Sequence, residues 1–175
     1  MKVRAPFTID HEPTLFMLRC IPGDVERWKL TGPDDYLRYL TYQWDEAQTF
    51  VNVEHDVEFE PRIVSDLWDC HYAWCWAPYA GITEPQLPHL GMTKISSELI
   101  EKTHDIWKDF NDDNTVMRMR WQRQPTWSML DGYLFRYAKQ AGILSHRHRT
   151  PVVNARPKGV KGMAAAPTMA GFLHG

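Results

Sequence analysis

The sequence predicts an α/β domain, an open mixed sheet flanked by helices, and three observations predict it. Thr31-Gly32-Pro33-Asp34-Asp35 supplies a cap and first-turn acids. The apolar positions that follow, Tyr36, Leu37, Tyr39, Leu40, Trp44 and Ala47, fall on one helical face. Directly after them Thr49-Phe50-Val51-Asn52-Val53 is a β-rich run that stops at Glu54-His55-Asp56. Helix, buried strand and a cluster of acids, in that order, is the layout of a sheet that carries its site at strand ends.

The remaining elements follow in order. Val3 to Thr8 reads as a first strand running into a polar loop at Asp10. Leu15 to Leu30 alternates irregularly around the turn Pro22-Gly23-Asp24, with Val25 to Leu30 as a second strand. Glu60-Pro61-Arg62 opens a helix with Ile63, Val64, Leu67 and Trp68 inward, and Tyr72 to Pro78 is an aromatic strand before a proline-rich loop, Tyr79 to His89. A helix is expected from Ser97 to about Phe110, a short β run over Val116 to Trp121, a helix from about Ser128 to Gln140, and a strand over Ile143 to Val153. Residues 1–154 make one compact domain; from 155 to 175 Ala, Gly, Pro, Lys and Met lack periodicity and read as a tail.

Bulk properties exclude several classes. A chain of 175 residues with 43% hydrophobic and 24% charged residues fits one self-sufficient core. A formal net charge of -2 gives no global positive field for nucleic acid. Three cysteines cannot all pair internally, no apolar run approaches a membrane span, and the N-terminus lacks a signal pattern, so a reducing, cytoplasmic location is expected. No Gly-rich phosphate loop is present. Cys70-His71 and Cys75 lack the paired Cys-x2-Cys spacing of structural zinc modules, so zinc is not expected there.

Three polar clusters carry chemistry. Glu54 and Asp56, at i and i+2 of an extended strand, project to one side, and two adjacent anions repel unless a cation or proton lies between them. Magnesium and manganese suit such oxygen donors, although a bare acid-x-acid triplet is more often a pair of solvated acids. In Ser145-His146-Arg147-His148-Arg149 the two imidazoles share one face and the two guanidiniums the other, which suits a metal and a diphosphate and equally a basic surface strand. Asp131 stands near a helix start, as a general base or as a simple first-turn acid.

The run Phe50 to Val57 with Pro61, the block Cys70 to Tyr79, His89-Leu90-Gly91-Met92, Trp127-x-x-Leu130-Asp131 and His146-x-His148 resemble the short glycosyltransferase-like proteins of the GT-A superfamily found in actinobacteria and their phages. The resemblance implies a GT-A-like, Rossmann-like sheet and metal-dependent, inverting transfer of a sugar from a nucleoside diphosphate sugar to an acceptor hydroxyl. The protein would lie in the host cytoplasm if phage-encoded. It implies that Asp56, with Glu54 and with His148 or His146, holds manganese or magnesium, and that Asp131 is the base. Donor contacts fall to Thr8, Asp10, Glu54, His55, Asp56 and Arg147, with His55 turned away from ribose and metal; acceptor contacts fall to Tyr79, Gly91 and Trp127. The motif reads Glu-His-Asp where the family has Asp-x-Asp, which keeps a second reading open: a catalytically degenerate module that binds a glycan or a protein.

Overall fold

The computed structural model describes residues 1–82, 86–112 and 127–155. Its strands are β1 (Lys2–Phe7), β2 (Asp24–Lys29), β3 (Phe50–Val53), β4 (Val57–Glu58), β5 (Trp74–Trp76), β6 (Met92–Ile95), β7 (Ser145–Arg147) and β8 (Val153–Asn154). Its helices are α1 (Glu12–Arg19), α2 (Pro33–Asp45), α3 (Arg62–Asp69), α4 (Ser97–Lys102), α5 (106–112) and α6 (Trp127–Gln140). Six strands form one mixed sheet in the order β2-β1-β3-β6-β5-β7, and β4 pairs with β8 apart from it.

β1 runs parallel to both β2 and β3, and parallel strands need a crossover. α1 and α2 supply the two crossovers and lie on opposite faces, as their burial partners show. The chain therefore reverses its winding at β1 and β3, and the carboxyl ends of those strands border the crevice where open α/β sheets carry ligands. β6 is antiparallel to β3 and β5, and β7 returns parallel to β5.

Alternation along β3 sorts the two cores. Phe50 faces Tyr36, Tyr39, Leu40, Trp44, Trp107 and Leu134 from the α2, α5 and α6 layer. Val51 and Val53 face Leu18 of α1 and Ile63, Val64 and Leu67 of α3. The last three make α3 amphipathic, and each fully buried aliphatic side chain stabilises by about 1.5–3 kcal/mol. Asn52 is the polar exception: fully buried, it accepts from the Tyr39 hydroxyl at 2.6 Å and donates to the Leu90 carbonyl.

The predicted α/β class, with a mixed sheet flanked by helices, is the fold observed. Three elements differ from expectation. Glu12–Arg19 is a helix where irregular alternation suggested none, because only Thr14 and Leu18 of its eight residues are buried. The helix from Ser97 breaks at 103–105, where the Thr103 hydroxyl turns back to the Leu99 carbonyl at 2.7 Å and accepts the Trp44 indole N–H. The single strand expected over Ile143 to Val153 is two, β7 and β8, separated by bends at 149–150. The β run expected over Val116 to Trp121, and the tail from 156, lie outside the described residues.

Candidate functional site

The loop His89-Leu90-Gly91 is the hub of the acidic end of β3. Asn52 anchors the Leu90 carbonyl, the Glu54 N–H donates to the Gly91 carbonyl at 2.7 Å, and the Leu90 N–H donates to Asp131 Oδ1 at 2.8 Å. Asp131, on α6, is thereby tied to the segment that also carries Glu54, 41 positions after Leu90 in the chain. A further wall is formed by residues 153–155: Val57–Glu58 pairs with Val153–Asn154, and the Ala155 N–H donates to the Asp56 carbonyl at 2.7 Å.

The carboxylates feel one another. Glu54 accepts the Tyr36 hydroxyl at 2.7 Å. Its carboxyl is nevertheless pushed up to about 8, first by burial and then by the charges of Asp131 and Asp56. Burial raises Asp131 to about 7, opposed by the Leu90 N–H bond. The charge of Asp131, once formed, resists the ionisation of Glu54. Among the described residues, no Lys or Arg lies within ion-pair distance of Glu54, Asp56 or Asp131.

Tyr79 covers this group. Burial and all three carboxylates oppose ionisation of its hydroxyl, which Asn154 bonds. Its ring stacks on His89 at 4.1 Å with planes 6° apart, and the Gln86 side chain clasps its backbone N–H and carbonyl at 2.8 Å each. Burial depresses the His89 imidazole to about 4, keeping it neutral against Tyr79 and the edge of Trp76. Gly91 makes this packing possible: a Cβ there would overlap the Tyr79 hydroxyl and stand 2.9 Å from its Cζ.

The other expected residues divide. Thr8 meets His55, Oγ1 to Nε2 at 3.2 Å, and Asp10 pairs with Arg27. His55 joins Phe7, His11 and Arg27 around a cavity of about 10 Å³, the room of roughly one water. Arg147, His148 and Arg149 line an open groove of about 300 Å³ with Pro78, one residue before Tyr79. His148 holds this bend, donating its N–H to the Trp76 carbonyl at 2.7 Å while its Nδ1 accepts from the Thr150 N–H at 3.3 Å. His146 instead turns its Nδ1 to the thiols of Cys70 and Cys75. Trp127 opens α6, and its side chain lies outside the described part.

Four contributors escape a reading by local pattern: Tyr36, Asn52, His89 and Asn154. Asn52 carried a signal, a polar residue at the centre of an otherwise apolar β run, which requires an internal partner. Tyr36 was placed on the apolar face of its helix, where its ring does lie, but its hydroxyl extends to the carboxylates.

No family model matches the chain, and no curated protein matches it. Among solved structures it is similar to A197 from STIV, at 12% identity and a TM-score of 0.49 over 86% of this chain and 82% of that one. It is also similar to a glycosyltransferase involved in the glycosylation of the major capsid of PBCV-1, at 13% identity and a TM-score of 0.47 over 84% and 80% respectively. No helix among the described residues is long and apolar enough to cross a membrane.

Proposed function

We propose that the chain is a metal-dependent, inverting glycosyltransferase that moves a sugar from a nucleoside diphosphate sugar to an acceptor hydroxyl. The observation that carries this reading is the meeting of Glu54 and Asp131 on the Leu90–Gly91 hub, with the charge of Asp56 felt at Glu54, and no basic partner for the three among the described residues. Half-buried carboxylates so arranged suit a hard divalent cation, manganese or magnesium. Asp56 and Glu54 would hold it, with His148 as the histidine candidate, since the Nδ1 of His146 is committed to two thiols. When bound, the ion would neutralise charge developing on the diphosphate leaving group.

The chain's own groups supply the rest. Asp131, raised to about 7, is poised as a general base for an acceptor hydroxyl near neutral pH. Arg147 and Arg149 flank the groove beside Tyr79, where guanidiniums can bind phosphate oxygens in pairs. Tyr79 and Gly91 would shape the acceptor side, and Thr8, Asp10 and His55 the nucleotide side.

The test is calorimetric titration with manganese together with uridine and guanosine diphosphates. Metal-dependent nucleotide binding that disappears in Asp56→Ala is expected; binding to no nucleotide, or an unaffected variant, removes the reading. The Glu54-His55-Asp56 triplet in place of Asp-x-Asp motivates a second reading, a glycan- or protein-binding module without turnover. Slow hydrolysis of sugar nucleotides without acceptor separates the two, because only the enzyme would give it.

A further inference from the structure

A second group of ligating side chains lies on the opposite face of the sheet. β6, β5 and β7 are neighbours, and their register sets Lys94, Cys75 and His146 side by side in one row. Register partners share a face, and Cys75 packs with Val51, Val53 and Met92 in the α1 and α3 core, away from the Phe50 side. α3 ends at Asp69, and Cys70 leaves it in an extended conformation that brings its thiol to the same imidazole. His146 Nδ1 stands 3.4 Å from Cys70 Sγ and 3.2 Å from Cys75 Sγ, and all three atoms lie within 4.8 Å of one another.

We propose that Cys70, Cys75 and His146 form a zinc site with three protein ligands, its fourth position taken by water or by the exposed His71 imidazole. The spacing fits the ion. Zinc bonds of about 2.3 Å to sulfur and about 2.0 Å to nitrogen, arranged tetrahedrally, set sulfur and nitrogen about 3.5 Å apart and the two sulfurs about 3.8 Å apart. Two thiolates and an imidazole are borderline-to-soft donors, unlike the oxygen donors of the acidic cleft.

Two further observations point the same way. Lys94 is only 7% exposed, its ammonium donates to the Cys70 carbonyl, and no described carboxylate lies within ion-pair distance of it. A buried ammonium needs acceptors around it, and metal-held thiolate sulfurs, which keep partial negative charge within a neutral unit, would add one to the Cys70 carbonyl. The His146 ring is also already fixed: Tyr72 stacks on it at 4.6 Å with planes 13° apart, and Tyr72 in turn meets His71 at 4.3 Å. On binding, the two thiols would each release a proton to solvent, leaving a neutral zinc–dithiolate–imidazole unit. The ion would clamp the α3–β5 loop to edge strand β7, and so steady the Arg147–Arg149 groove that continues from that strand.

Cobalt(II) alone is the probe. Added to the reduced, metal-stripped full chain, it is expected to fill the thiol site first, one ion at that site, with sulfur-to-metal charge-transfer absorption and the intense visible bands of a tetrahedral site, and zinc should displace it. Cys70→Ser and His146→Gln should abolish the charge-transfer bands or weaken binding at least tenfold, while Asp56→Ala leaves them intact. Weak octahedral absorption without charge transfer, or bands that survive Cys70→Ser and His146→Gln in folded protein, would overturn the proposal. Cys75→Ser alters a buried position, so its circular dichroism is checked first; the half-exposed Cys70 variant carries the test if Cys75→Ser fails to fold.

Discussion

The two faces of the sheet gather ligating groups by different means. On the α2 and α6 face, Glu54 at the end of β3 and Asp131 on α6 meet through the Leu90–Gly91 loop that both hydrogen-bond, with Asp56 two residues after Glu54. On the α1 and α3 face, Cys75 and His146 meet because they occupy one register position on neighbouring strands, with Cys70 folded back from a helix end. The first group is hard, held partly protonated by burial and mutually repulsive once ionised; the second is soft and neutral until its protons leave. Strand ends bring hard acids to the rim of the sheet, where a cation can reach them, whereas mid-strand positions inside a core tolerate groups that stay uncharged until a metal arrives.

That contrast can be broken or sharpened by variants that touch one face only. Asp131→Asn should lower sugar transfer by about a thousandfold, the usual range for a lost general base, in a donor-turnover assay. The cobalt spectrum of the thiol cluster should not change. An unaltered turnover would detach Asp131 from the chemistry and leave the acidic group a binding feature.

Gly91→Ala comes next. Its Cβ has nowhere to go beside Tyr79, so a loss of about 2–4 kcal/mol is expected in urea denaturation. Cys70→Ser in metal-free protein should cost less than about 1 kcal/mol, because its thiol is half-exposed. Equal costs would mean that the two faces are equally preorganised.

The acidic face should also impress a pH slope on stability. The folded chain keeps Glu54 protonated up to about 8 and Asp131 up to about 7, whereas in the unfolded chain both ionise near 4. The folded state therefore binds more protons between those values, and its stability falls as pH rises from about 4 to about 8. Glu54→Gln, neutral at every pH, should flatten that slope and stabilise the metal-free chain by about 1–3 kcal/mol at pH 8, read from melting curves. A variant that steepens the slope would reverse the assignment. Tyr36→Phe removes the hydroxyl that donates to Glu54 and accepts from Asn52, costs about 1–2 kcal/mol and lets the Glu54 carboxyl titrate still higher, which carboxyl NMR can follow.

Much of the fold could be read from local pattern. The helical face of Tyr36, Tyr39, Leu40 and Trp44 and the apolar run ending in Glu54 are short-range signals, and both appear in place. The thiol cluster could not be read that way. Cys70 and Cys75 are separated from His146 by 76 and 71 positions, so a test for closely spaced cysteine pairs misses a ligand set completed by a neighbouring strand. The role of Gly91 was equally hidden, because what excludes a side chain there is a tyrosine twelve positions earlier that only the fold brings above it.

The hydrogen bond from the Ala155 N–H to the Asp56 carbonyl joins two parts of the chain made far apart in time. A chain emerging from the ribosome can pair β1, β2 and β3 early, yet the strand that closes over Asp56 is synthesised long after them. Long-range pairing of this kind is slow, so the acids would spend that interval in water, fully charged and apart. A chain ended before residue 150 would lack β8, and with it the partner of β4 and the bond that fixes the Asp56 carbonyl.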